Sequence, residues 1–128
     1  MRWQITRVRA AALAAVGRFD DAQALVERIR KGADPRADAI VRAQAELIGA
    51  ALAKERGDYA GAAERAEAAL GPALRVADPV VWTRGELLLA RALRGRGRPD
   101  RAEDVVAALR EAAAGDDWRT LYATLAAA

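Results

Sequence analysis

Side chains able to do covalent or acid–base chemistry are few in this chain, and their types restrict what it can catalyse. It has no His and no Cys, and it has no Ser and no Asn either. Activated serine or cysteine nucleophiles, imidazole bases and His/Cys zinc sites are therefore impossible, as are disulfides. Only two lysines occur, Lys31 and Lys54. What remains is Asp, Glu, Arg, Thr and Tyr. The adjacent acids Asp20/Asp21 and Asp116/Asp117 are of the type that holds a metal or works as an acid–base pair. At the start of a helix the same residues cap free N–H groups and complement the macrodipole, and that is the role expected of them. No catalytic residue, no cofactor and no metal ligand is expected, so the chain is read as non-enzymatic.

The remaining chemistry is that of arginine. The segment "RALRGRGRPDR", Arg91 to Arg101, holds five arginines and one acid. Guanidinium groups grip phosphate or carboxylate bidentately, so this segment is the alternative site of a nucleic-acid-associated adaptor. No aromatic residue interleaves it, which removes base stacking, and "GRGRP" also suits a plain turn between helices. The formal charge of +3 is modest and almost wholly arginine. Beside so much alanine it points to a GC-rich coding sequence as readily as to a basic partner.

These groups have to be positioned by helices. A chain of 128 residues is the size of one domain. Three segments share a register: "GRFDDAQALVERI" from Gly17, "GDYAGAAERAEAAL" from Gly57 and "GRPDRAEDVVAAL" from Gly97, spaced 40 residues apart. Each has glycine, a ring two residues on (Phe19, Tyr59, Pro99) and alanine three later (Ala22, Ala62, Ala102). The glycines suit the left-handed C-terminus of a first helix, and Asp20 and Asp100 the N-cap of a second. Second-helix stripes follow: Ala22, Leu25, Val26, Ile29; then Ala62, Ala66, Ala69, Leu70; then Ala102, Val105, Val106, Leu109.

First helices precede each glycine. Asp34-Pro35 and Asp78-Pro79 predict N-cap and first turn for the second and third of them. Their apolar stripes include Ile40, Val41, Leu47, Ile48 and Leu52, and Val81, Leu88, Leu89 and Leu93. The opening helix carries Ile5, Val8, Ala12 and Val16 on one face. No alternating strand pattern competes. The expected fold is all-α: one domain over residues 1–128, with three helix–turn–helix units near 3–34, 35–77 and 78–114. A final helix over 116–127 brings the expected total to seven.

With this register the chain resembles the tetratricopeptide repeat. "GDYAGA" resembles the turn between that family's two helices. In the third unit Leu89, Ala90, Leu93, Ala102 and Val106 fall where the family keeps apolar and small residues. The period departs from the family's 34, as in the tetratricopeptide-like regions of large bacterial regulators. Thr6, Glu46 and Glu86 stand where the family has tryptophan. The resemblance implies a right-handed α-solenoid whose units share a core. It also implies a concave surface, made by the first helices, that binds an extended or helical segment of a partner.

Carried over by register, the groove-facing residues are Arg7, Gln44, Leu47, Lys54, Arg84, Leu87, Arg91 and Arg94. Their basic share favours an acidic or amphipathic protein segment. The family's carboxylate clamp needs asparagine, which the chain lacks. Bulky residues gather at the ends: Trp3 at one, and Trp118, Leu121, Tyr122 and Leu125 at the other. They are expected to cap the stack or to dock on another subunit as a homo-oligomer. No 18-residue run lacks charge, so no membrane span is expected. Arg2, Arg7 and Arg9 before "AAALAAVG" mimic a signal peptide, but the run is short and passes straight into a helix. A cytoplasmic location is expected.

Overall fold

The computed structural model describes residues 2–112 and Trp118. The chain forms α1 (Arg2–Ala15), α2 (Phe19–Gly32), α3 (Ala39–Glu55), α4 (Tyr59–Ala69), α5 (Pro72–Ala77), α6 (Pro79–Gly95) and α7 (Pro99–Ala112). No strand occurs among the described residues.

Three glycines set the pairing of these helices. Gly17, Gly57 and Gly97 have φ of +84°, +81° and +85°, a conformation that costs any residue with a β-carbon about 1–2 kcal/mol. After α1, the Gly17 N–H donates to the Ala14 carbonyl at 3.1 Å and the Arg18 N–H to the Leu13 carbonyl at 2.9 Å. After α3, Gly57 and Asp58 donate to Lys54 and Ala53, both at 2.9 Å. After α6, Gly97 and Arg98 donate to Arg94 and Leu93 at 3.0 and 2.8 Å. This two-bond closure is the Schellman motif. It recurs at the same register in α1/α2, α3/α4 and α6/α7, and turns each pair into a helical hairpin.

The N-termini follow different chemistry from that expected. Asp20 and Asp100 lie inside α2 and α7, in the first turn, and Arg18 holds the N-cap of α2 without a side-chain bond. Only the middle hairpin has an acid at that position. There Asp58 caps α4, accepting from the Gly61 N–H at 2.9 Å. Asp78 caps α6 as expected, accepting from the Val81 N–H at 3.2 Å, with Pro79 leading the helix. Asp34 does not start a helix. Its carboxylate accepts from the N–H groups of Arg36 and Ala37, both at 2.8 Å, and closes a local turn. Those two hydrogen bonds hold the carboxylate below the usual carboxylate range. Such Asx geometry competes with helix initiation, so α3 begins later, after Asp38.

The sequence also gives no warning of α5. Pro72 leads it, and its one buried residue, Leu74, enters the core. At six residues it is too short to show a period. The described helices are thus seven with α5 among them. The expected final helix over 116–127 lies outside the described residues except for Trp118.

Contacts run between the helices of one hairpin and those of the next: α1 on α2 and α3, α2 on α3, α3 on α4 and α6, α4 on α6, α6 on α7. The largest core cluster spans α3 to α7 and has an alanine seam, Ala62, Ala63, Ala66 and Ala69, all buried on α4. Short side chains there let α4 approach its neighbours closely. Gly85 marks a close crossing: a β-carbon on it would lie 2.7 Å from Leu70 Cδ2 and 2.9 Å from Leu47 Cδ1. In the first hairpin, Ala22, Leu25, Val26 and Ile29 are buried, as their spacing predicts.

α1 differs from its expected orientation. The face bearing Ile5, Val8, Ala12 and Val16 points outward, with Ile5 71% and Val16 72% exposed. The helix packs instead through Ala10, with Trp3 and Leu13 half-buried beside it. α1 thus has a second stripe, Trp3, Ala10 and Leu13, beside the one that its spacing singled out. The side of α1 on which α2 and α3 lie decides which one is covered.

Candidate functional groove

The first helices of the three hairpins lie side by side, since α3 touches both α1 and α6. A groove of about 620 Å³ runs along them. Its floor is apolar: Ala11 and Ala14 from α1, Leu47, Ile48, Ala51 and Leu52 from α3, Val81 and Leu88 from α6. Its charged lining residues are Arg7, Glu55 and Arg84, and Phe19 reaches it from the first turn. An apolar floor with few charged groups suits an amphipathic segment better than a small polar metabolite.

Of the residues carried over from the repeat register, Arg7, Gln44, Leu47 and Arg84 meet in this groove. Leu87 does not line it; it is 7% exposed and belongs to the core. α6 enters the groove through positions 81, 84, 85 and 88, a face turned away from Leu87. Lys54, Arg91 and Arg94 also lie outside its lining. Lys54 Nζ sits 3.9 Å from Glu55, and Arg94 pairs with Glu103 at 3.2 Å. Ile48 and Leu88 were missed as groove residues, although they stand 40 apart in the shared register.

A chain of amides and acids runs beneath. Arg7 Nε donates to Gln4 Oε1 at 2.9 Å, and Gln4 Nε2 donates to Gln44 Oε1 at 3.3 Å. Gln44 Nε2 donates to Asp78 Oδ2 at 2.8 Å, while the other oxygen of Asp78 caps α6. Gln44 is buried in an otherwise apolar face. Its amide is tolerated there because both ends are bonded. Gln44 therefore positions three helices, and no local pattern marks Gln4 and Asp78 as its partners.

One acid is held differently. Glu46 receives a bidentate pair from Arg30 on α2, Nε–Oε1 at 2.9 Å and Nη2–Oε2 at 2.8 Å, which raises the Arg30 pKa. Glu86 stands 40 residues after Glu46, but Leu70 stands where Arg30 would be repeated. Burial pushes its carboxyl up to about 7, against the opposing charge of Arg75. A folded-state pKa above the unfolded value means the acid form is favoured by folding. Its contribution is complete below about 4.5 and is lost as pH rises through about 7. Glu86→Gln should abolish this loss. Between about pH 5 and pH 8 its stability gain over the parent should grow by about 1–2 kcal/mol, since solvent still reaches part of the carboxyl. Urea denaturation at several pH values checks it; a pH-independent difference would contradict the burial argument.

The Arg91–Arg101 segment is largely committed to internal pairs. Arg94 pairs with Glu103, Arg98 with Asp100 at 3.6 Å and Arg101 with Glu67 at 2.6 Å. At the chain ends, Trp3 packs on Ile29, Ala33 and Ala45 and lies over Gly32, inside the first hairpin's edge. Trp118 is 38% exposed. Leu121, Tyr122 and Leu125 lie outside the described residues. No helix among the described residues is long and apolar enough to cross a membrane. No protein-family model matches the chain, and no curated protein and no solved structure matches it.

Proposed function

We propose that the chain is a non-catalytic protein-interaction module of the tetratricopeptide type, a short right-handed solenoid that binds an acidic amphipathic segment of a partner. The observation that carries this is the groove along α1, α3 and α6, with its apolar floor and with Arg7 and Arg84 in its lining. The three Schellman closures at one register support the repeat reading. A bound segment would lay its apolar side chains on Ile48, Ala51 and Leu88 and its carboxylates on the two arginines. The nucleic-acid alternative is the weaker one, because three of the five arginines of the 91–101 segment already face carboxylates.

Selection from a display library of short peptides tests the proposal with no partner named in advance. The expected winners combine acidic and large apolar residues. Arg7→Glu with Arg84→Glu should weaken their binding by tenfold or more, about 1.4 kcal/mol. Selection of basic peptides, or binding indifferent to the double reversal, would sink it.

A further inference from the structure

The exposed face of α1 has two internal counterparts whose surroundings are known. Ile5, Val8 and Arg9 fall 40 residues before Ala45, Ile48 and Gly49. In α3 those three positions are covered by α2. Ala45 packs on Ile29 and Ala33, Ile48 packs with Leu25 and Val26, and a β-carbon on Gly49 would lie 3.3 Å from Val26 Cγ1. In α6 the same face begins at Gly85, against Leu70 at the end of α4. The face that takes a helix on α3 and on α6 is therefore present on α1, where Ile5 is 71% and Val8 53% exposed.

Charge says what kind of helix fits. By helical spacing Arg2 and Arg9 share this face with Ile5 and Val8, whereas Arg7 turns to the groove, and α1 contains no acid. A second copy presenting its own α1 would set like charges against each other. A second copy presenting α7 fails for another reason. Val106 and Leu109, the register counterparts of Val26 and Ile29, are already buried, at 1% and 0% exposure. We propose that the outer face of α1 docks an amphipathic α-helix of a partner protein, its apolar stripe flanked by acidic residues, in the place that α2 takes on α3. Fourteen residues of α1 offer a contact about 20 Å long, the scale of a transient association. This edge is separate from the groove, so the two sites can be occupied at once.

The probe is a synthetic peptide of residues 19–33, the stretch that covers α3, carrying Arg28→Glu, Arg30→Glu and Lys31→Glu. Its apolar stripe of Leu25, Val26, Ile29 and Ala33 is kept, and fluorescence anisotropy follows its binding to the full chain. The acidic peptide should bind at least about tenfold more tightly than the unmodified one. Ile5→Glu with Val8→Glu, both at exposed positions that leave folding intact, should remove that binding, whereas Arg84→Glu should not. Several results would overturn the proposal. They are no binding of the acidic peptide, equal binding of the unmodified one, indifference to the double substitution, and loss through Arg84→Glu, which would put the peptide in the groove. A doubled solution mass that reverts in the Ile5→Glu, Val8→Glu variant would make a second copy the occupant instead. Protein that sediments with phosphatidylserine vesicles through the same face would make it a membrane edge.

Discussion

Leu93→Ala should lose stability at the upper end of the range for such truncations, about 4–5 kcal/mol of the usual 2–5. Leu93 is fully buried on α6, in the cluster that includes Ala62, Ala66, Ala90 and Ala102. The cost of a truncation depends on how far the neighbours move into the space left. Alanine has no rotamer to swing, so a shell rich in alanine collapses little. Leu74→Ala gives the internal comparison. Leu74 is also buried, at 1% exposure, but it sits on the short α5, a six-residue helix that can settle inward. Its loss should fall near about 2 kcal/mol. Urea denaturation of both variants checks the contrast. Equal losses would show that the alanine shell does relax.

Ala66→Leu should destabilise by the opposite route, about 1–3 kcal/mol through overpacking. Ala66 is completely buried on α4, a helix in contact with both α3 and α6. A larger side chain has no direction in which to turn without moving one of them. Leucine is a good helix former, so the change costs almost nothing in propensity, and the loss reports packing alone. Ala68→Leu, at an exposed position of the same helix, is the control and should melt like the parent. If Ala66→Leu also melts like the parent, α4 is not clamped as the structure has it.

The hairpin closures were legible because they are local. A glycine, a ring and an alanine at fixed offsets specify a turn with little help from the rest of the chain, and Ala22, Leu25, Val26 and Ile29 announce a buried stripe by spacing alone. What stayed hidden depended on neighbours. Both faces of α1 are apolar, and only the placement of α2 and α3 selects Ala10 over Ile5. α5 rests on one leucine. Asp34 looked like a cap until its carboxylate turned to Arg36 and Ala37. The groove was half legible for a similar reason. Register places residues along a helix, but α6 is turned so that Leu88 rather than Leu87 faces the groove. The relay from Arg7 to Asp78 joins positions as far as 34 and 40 residues apart, beyond any local pattern.

The Schellman closures also fix where this architecture can lengthen. Each leaves a left-handed glycine and two other residues between helices, with both backbone bonds in use. An inserted residue there would break the closure and swing a whole helix. The opposite edge already varies: residues 33–38 make a turn held by Asp34, while residues 70–78 contain α5. Added segments, whether arising in descent or grafted by design, should be accommodated at that edge without reshaping the groove between the first helices.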